Sequence, residues 1–161
     1  MSTPRLDYST TLPEAIKPLF DANAVLERSG LEPILRVWVE LRASQINGCA
    51  MCIAMHSREA VALGESGDRI WGLPAWREAS WYSPRERAAL EWTEALTRVA
   101  DGGISDELYA RVHEQFDDRE MVALTLAVNV INSWNRFNIA FRIPPDNADA
   151  VVARYLPAHA K

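Results

Sequence analysis

Gln45-Ile46-Asn47-Gly48-Cys49-Ala50-Met51-Cys52-Ile53-Ala54-Met55-His56 holds both cysteines of the chain and one of its three histidines. Asn47-Gly48 is a break signal, an amide followed by a residue free to take positive φ, and such pairs end helices. Cys49 to Leu63 contains no Pro or Gly and is rich in Ala, Met, Arg and Glu. The composition predicts a helix that starts at or near Cys49 and is closed by Gly64. On that helix Cys52 and His56 are i, i+4, about 40° apart in projection. Cys49 and His56 are i, i+7, two turns apart. Two sulfurs and one imidazole are thus expected on one face of the first two turns.

The flanking sequence is helical in period throughout. Residues 1–10 read as an irregular lead-in. Thr11-Leu12-Pro13-Glu14 reads as a helix start, with Thr as cap and Pro in the first turn. Ile16, Leu19, Phe20, Ala24 and Val25 give that helix one apolar face, and Ser29-Gly30 ends it. A second helix is expected over about 32–46, with Pro33 in its first turn. Beyond the cysteine helix, Ser66 caps a brief helix and residues 75–79 suggest one further turn. Ser83-Pro84-Arg85-Glu86 combines a cap, a first-turn proline and a capping box. The helix it opens is expected to run to Val99, with Ala88, Leu90, Trp92, Ala95, Leu96 and Val99 inward. Asp101-Gly102-Gly103 is a turn, and Ser105 opens a helix through Phe116. Asp117-Asp118 begins the last long helix, apolar nearly all round from Met121 to Ile131, expected to continue to about Phe141 and to be stopped by Pro144-Pro145. No strand-period alternation competes. The expectation is an all-α fold of six to eight helices, one domain over 1–161 with its core at about 11–143.

Composition narrows the function. Hydrophobic residues make up 48%, charged residues 24%, and the net charge is −5. Without a basic run, nucleic acid is an unfavoured partner. The apolar run from Met121 is too short to span a bilayer, and Met1 to Asp7 lacks the apolar core of a signal peptide. The expected location is the cytoplasm, where thiols are kept reduced and a close cysteine pair is more often redox-active or metal-binding than a structural staple.

Three readings of the cysteine cluster follow. As a redox dithiol, the pair sits at the positive end of a helix, which stabilises a thiolate. His56, one turn from Cys52, can take its proton or deliver one to a leaving group. Glu40, on the preceding helix, can orient the imidazole if the two helices fold back. As a metal clip, Cys49, Cys52 and His56 offer three ligands where structural zinc wants four, and His113 and His159 are distant. As packing, the sulfurs and imidazole are ordinary core groups. Elsewhere, Arg42 reads as a solvated arginine, most of the six tryptophans as core, and Asn132, Asn135 and Arg136 as helix-end hydrogen bonders. His113 reads as a surface residue.

Leu41 to His56, quoted in part above, resembles the signature of the AhpD-like alkylhydroperoxidase branch of the carboxymuconolactone decarboxylase family. The likeness continues through Ala75-Trp76-Arg77-Glu78, Ser83 to Leu90 and Asn132-Ser133-Trp134-Asn135-Arg136, covering roughly residues 30–141. The resemblance implies an all-helical homo-oligomer that reduces hydroperoxides through its CxxC; no cofactor or metal is expected. The resulting disulfide would be reduced by a partner dithiol or disulfide reductase. It also implies Cys52 as the sulfur oxidised by peroxide, Cys49 as the resolving one and His56 in the proton relay, whereas helix-terminus logic alone favours Cys49. Two positions depart from the branch. Its relay glutamate falls on Val37 here, leaving Glu40 as the nearest acid, and a second relay histidine carried by some members is Met51. The alternatives are a helical oligomeric binding or structural protein with a weakly active dithiol, or a decarboxylase-like enzyme.

Overall fold

The described residues of the computed structural model, 3–149 and 152, carry nine helices and no strand. In chain order they are α1 (Tyr8–Thr11), α2 (Pro13–Glu27), α3 (Pro33–Asn47), α4 (Ala50–Ala62), α5 (Gly67–Gly72), α6 (Pro84–Thr97), α7 (Val99–Gly102), α8 (Asp106–His113) and α9 (Asp118–Phe141). Leu73–Ala75 and Pro145–Asn147 form 3-10 turns. The all-α expectation holds. The count is one above the expected range, and α1 and α7, single turns of four residues each, have no counterpart in the sequence reading.

Local chemistry sets most boundaries as the sequence implies. Ser83 and Asp117 each close a reciprocal capping box, with Glu86 and Glu120. Ser66 and Ser105 cap α5 and α8 through their hydroxyls. Two expectations fail. Asp7, not Thr11, is a cap: its carboxylate accepts the Ser9 and Thr10 amides and starts α1, so the lead-in is partly helical. The Thr11 hydroxyl donates to the Asp7 carbonyl instead, and Leu12 precedes α2 without a side-chain cap. At the far end α9 ends at Phe141, as expected, where Arg142 takes a left-handed conformation (φ 54°) and its amide satisfies the Asn138 and Ile139 carbonyls.

α3 is the organising helix and packs against α4, α6 and α9. Its Leu35 and Val39 join Trp92, Phe116, Leu124 and Val128 in one core, while Val37, Trp38 and Leu41 join Leu73, Trp76 and Leu90 in another. Truncating a buried leucine of this kind to alanine costs about 2–5 kcal/mol. The Trp38 indole donates to Glu86 Oε1 at 3.0 Å, so its one polar atom is satisfied. α2 is less buried than its apolar period implies: Ile16 and Leu26 are enclosed, whereas Phe20 and Val25 are exposed. Val99 is also exposed, because α6 ends at Thr97 and the chain turns into α7.

Arg42 is not the solvated arginine its position suggests. Its Nε donates to Glu94 Oε1 at 2.7 Å, and both side chains are about nine-tenths enclosed. Glu94 also accepts from the Trp76 indole and the Arg77 guanidinium. One buried carboxylate on α6 therefore ties down α3 and the chain after the 3-10 turn.

Candidate active site

The corner between α3 and α4 is built by backbone geometry. Gly48 takes φ 71° and ends α3 in a left-handed cap, a conformation that costs glycine nothing. Its amide donates to the Gln45 and Ser44 carbonyls, and the Cys49 amide donates to the Ser44 carbonyl. The asparagines then fix this corner against α9. Asn47 Nδ2 donates to Asn132 Oδ1 at 2.9 Å and to Asn135 Oδ1 at 2.8 Å. Asn135, fully buried, donates from Nδ2 to the Ser44 hydroxyl at 3.0 Å. A polar network of this kind in a dry interior specifies one arrangement. It gives Asn132 and Asn135 a role that helix-end bonding did not anticipate.

Cys49 and Cys52 are joined as a disulfide, with their Cα atoms 5.4 Å apart. Cys49 is not on the helix proper. It has extended backbone angles and acts as the cap of α4, its sulfur accepting the Cys52 amide at 3.4 Å. The i, i+7 projection of Cys49 onto His56 consequently does not apply. Cys52 and His56 do share a side: both line a cavity of about 310 Å3, and Cys49 does not line it. Cys52 also accepts a hydrogen bond from Asn138 Nδ2 at 3.2 Å. The Tyr8 hydroxyl donates to Asn138 Oδ1 at 2.8 Å and so turns the amide donor toward the sulfur.

His56 is 5% exposed and faces two carboxylates through one ring nitrogen. Its Nδ1 lies 3.0 Å from Glu59 Oε2 and 3.3 Å from Glu40 Oε2. α3 and α4 do fold back on each other, which brings Glu40 to the imidazole; Val37 lies in the core. Burial by itself lowers the His56 pKa. The Glu40 charge, the hydrogen bond to Glu59 and the Glu59 charge outweigh it, so the net shift is upward. Burial pushes Glu40 up, with help from Glu59 and against His56. Glu59 is opposed by burial but held down by its bond to His56 and by the His56 charge. The two acids are thus pushed in opposite directions, Glu59 toward its charged form and Glu40 away from it. His56 Nε2, also buried, has no hydrogen-bond partner among the described residues.

This arrangement can hold and pass a proton beside a sulfur. The carboxylates fix a hydrogen on Nδ1, which leaves Nε2 to exchange one with whatever enters the cavity. Glu40, His56 and Glu59 offer ligand atoms all within 4.8 Å of one another, so the same trio has the donor types to hold a cation. His113 instead pairs with Asp118 at 2.8 Å on the exposed side of α8, and His159 lies outside the described residues. Of the six tryptophans, Trp134 alone among the described residues lines the cavity. Glu59, Asn138 and Tyr8 were missed from the sequence. Glu59 stands at i+3 from His56 on α4, a spacing that could have found it. Tyr8 and Asn138 are 130 residues apart, and no local signal joins them.

A model of the carboxymuconolactone decarboxylase family matches residues 13–95. The chain belongs to that family. Among its relatives, the uncharacterized protein YdfG of Bacillus subtilis (strain 168) is 43% identical over 136 residues, 84% of this chain and 92% of that one. The crystal structure of ATU0492 from Agrobacterium tumefaciens, a protein of unknown function and putative antioxidant defence protein AhpD, superposes with a TM-score of 0.84. It is 37% identical and covers 88% of this chain and 97% of its own. An uncharacterized peroxidase-related protein from Ralstonia eutropha JMP134, an alkylhydroperoxidase AhpD core, shares the fold at a TM-score of 0.77 and 16% identity, over 92% of this chain and 80% of that one. Within the carboxymuconolactone decarboxylase family the chain is therefore AhpD-like. No helix among its described residues is long and apolar enough to cross a membrane.

Proposed function

We propose that this protein is a CxxC-dependent peroxidase that reduces hydroperoxides in the cytoplasm, with Cys52 as the attacking sulfur. The observation that carries the reading is that Cys52 lines the cavity together with His56, while Cys49 stands behind it, already within bonding reach. In the reduced protein the Cys52 thiolate attacks the terminal oxygen of R–O–O–H. The O–O bond breaks, the sulfur becomes a sulfenic acid, and the leaving alkoxide takes a proton from His56 Nε2 to depart as R–OH. The Cys49 sulfur then displaces hydroxide from the sulfenic acid, forming the disulfide; the hydroxide leaves as water with the Cys49 proton. A partner dithiol or disulfide reductase returns both cysteines to thiols and is itself oxidised to a disulfide.

Each residue has a part in this cycle. The Asn138 amide donates to the sulfur and favours its anionic form. The helix terminus at Cys52 acts in the same direction. Glu40 and Glu59 hold His56 protonated and oriented. Glu40 supplies on α3 the acid that Val37 lacks. The exposed Val25, Val122 and Ile139 are the residues on which we place the contacts of a homo-oligomer.

A stoichiometric hydroperoxide pulse on the reduced protein tests the reading. Intact mass spectrometry is expected to show loss of two hydrogens and a bridge between Cys49 and Cys52. An unchanged mass would refute it.

A further inference from the structure

The cavity beside Cys52 holds a cation that the relay does not use. Arg36, on α3 one turn before Glu40, lines it. No described residue forms an ion pair or hydrogen bond with the Arg36 side chain, and its Nε is buried without a partner. A guanidinium stays charged at any physiological pH. Left half-buried and unpaired it is costly, and a planar anion able to take two of its N–H groups relieves that cost.

Three acids share the cavity wall and could compete for it. Glu40 and Glu59 both face His56 Nδ1, and neither comes within ion-pair distance of Arg36. Arg36 still bears on this trio through space, disfavouring the proton on both acids and on His56. Glu27 is exposed at the edge of the cavity. The rest of the wall is largely apolar: Phe20, Met55, Val130, Ile131, Trp134 and Ile143. Phe20 and Trp134 meet with ring centroids 5.0 Å apart. A volume of about 310 Å3 is at the small end of the ~300–1,000 Å3 typical of ligand sites.

We infer that the cavity takes an amphipathic monocarboxylate of short to medium chain, its carboxylate on Arg36 and its carbon chain along the Phe20–Trp134 wall. This rests on the peroxidase reading for its consequence: the substrate class becomes carboxylate-bearing alkyl hydroperoxides, with Arg36 as the specificity-determining residue. The acid group is held at one side of the cavity while the peroxide group reaches Cys52.

Binding of a non-peroxidic probe separates this inference from the catalytic one. Isothermal titration at pH 7 with decanoate and decanol, on the oxidised wild-type protein, is the first measurement. Decanoate is expected to bind about tenfold or more tightly than decanol, the size of a charge-assisted hydrogen-bonded pair. In Arg36→Gln that advantage is expected to disappear, and in Arg36→Lys to survive in part. Circular dichroism establishes that each variant is folded. Equal affinities for decanoate and decanol in the wild type overturn the inference, even if Arg36→Gln does not fold. So does a decanoate preference that Arg36→Gln retains. A protein that binds decanoate through Arg36 yet is not oxidised by any hydroperoxide leaves this inference standing and removes the peroxidase reading.

Discussion

Replacing Cys52 with serine is expected to reduce hydroperoxide turnover by about a thousandfold or more, since the proposed nucleophile is removed. Replacing Cys49 gives a different result. Cys49→Ser should consume one equivalent of hydroperoxide and stop, with a sulfenic acid on Cys52 that dimedone traps. The asymmetry follows from placement. Cys52 faces the cavity and carries the Asn138 donor, whereas Cys49 is the cap of α4 and does not line the cavity. The cavity wall includes one sulfur and not the other, so on this reading hydroperoxide in the cavity meets Cys52, and Cys49 is placed to meet the oxidised Cys52. Mass spectrometry of the dimedone adduct and the hydroperoxide consumed per protein, both measured on pre-reduced protein with no free thiol present, read Cys49→Ser; turnover against a small dithiol reads Cys52→Ser. An adduct on Cys49 in Cys52→Ser, with none on Cys52 in Cys49→Ser, would reverse the roles. Peroxide consumption unaffected by either substitution would remove the dithiol from the chemistry.

The second large effect is on stability. Glu94→Ala is expected to destabilise the protein by about 3–5 kcal/mol, the range for removing one partner of a buried ion pair. Glu94 accepts hydrogen bonds from Arg42, Trp76 and Arg77. Arg42 is almost enclosed, so it would be left charged and largely unpaired; Arg77 is half exposed and can turn to water. At roughly 2–4 °C per kcal/mol for a chain of this length, the melting temperature should fall by about 10 °C. The contribution also has a pH signature. Burial pushes the Glu94 carboxyl up, but the bonds from Trp76, Arg77 and Arg42 outweigh it, so its pKa is lowered on folding. The cluster therefore stabilises above the ordinary carboxylate range and fades as pH falls through the depressed value. Urea denaturation at neutral and acid pH measures both. A loss under 1 kcal/mol at neutral pH would show that Glu94 does not hold this junction.

Where the sequence was read correctly, the signals were local. The Asn47-Gly48 break, the Ser83 capping box, the start of α9 at Asp117 and the serine caps of α5 and α8 each depend on residues within a turn of one another, and each appears in the structure. The Glu40–His56 contact was legible only as a condition, because it requires α3 and α4 to fold back, and they do. The misreadings are of three kinds. Arg42 looked solvated because its partner Glu94 is 52 residues away. Asn138 went unnoticed because both its neighbours, Tyr8 and the Cys52 sulfur, are distant in the chain. Cys49 was misplaced for a local reason: a thiol at the break serves as the cap itself, which takes it off the helical projection. Val25 and Val99 show the limit of apolar period, which marks a face without saying that anything covers it.

The acidity of Cys52 tests the central claim most directly. In reduced Cys49→Ser, where Cys52 is the one remaining thiol, the rate of alkylation can be followed against pH. The account predicts a midpoint below the ordinary thiol value of about 8.5, moving upward when His56→Gln is added. A midpoint at or above that value, indifferent to His56, would contradict it.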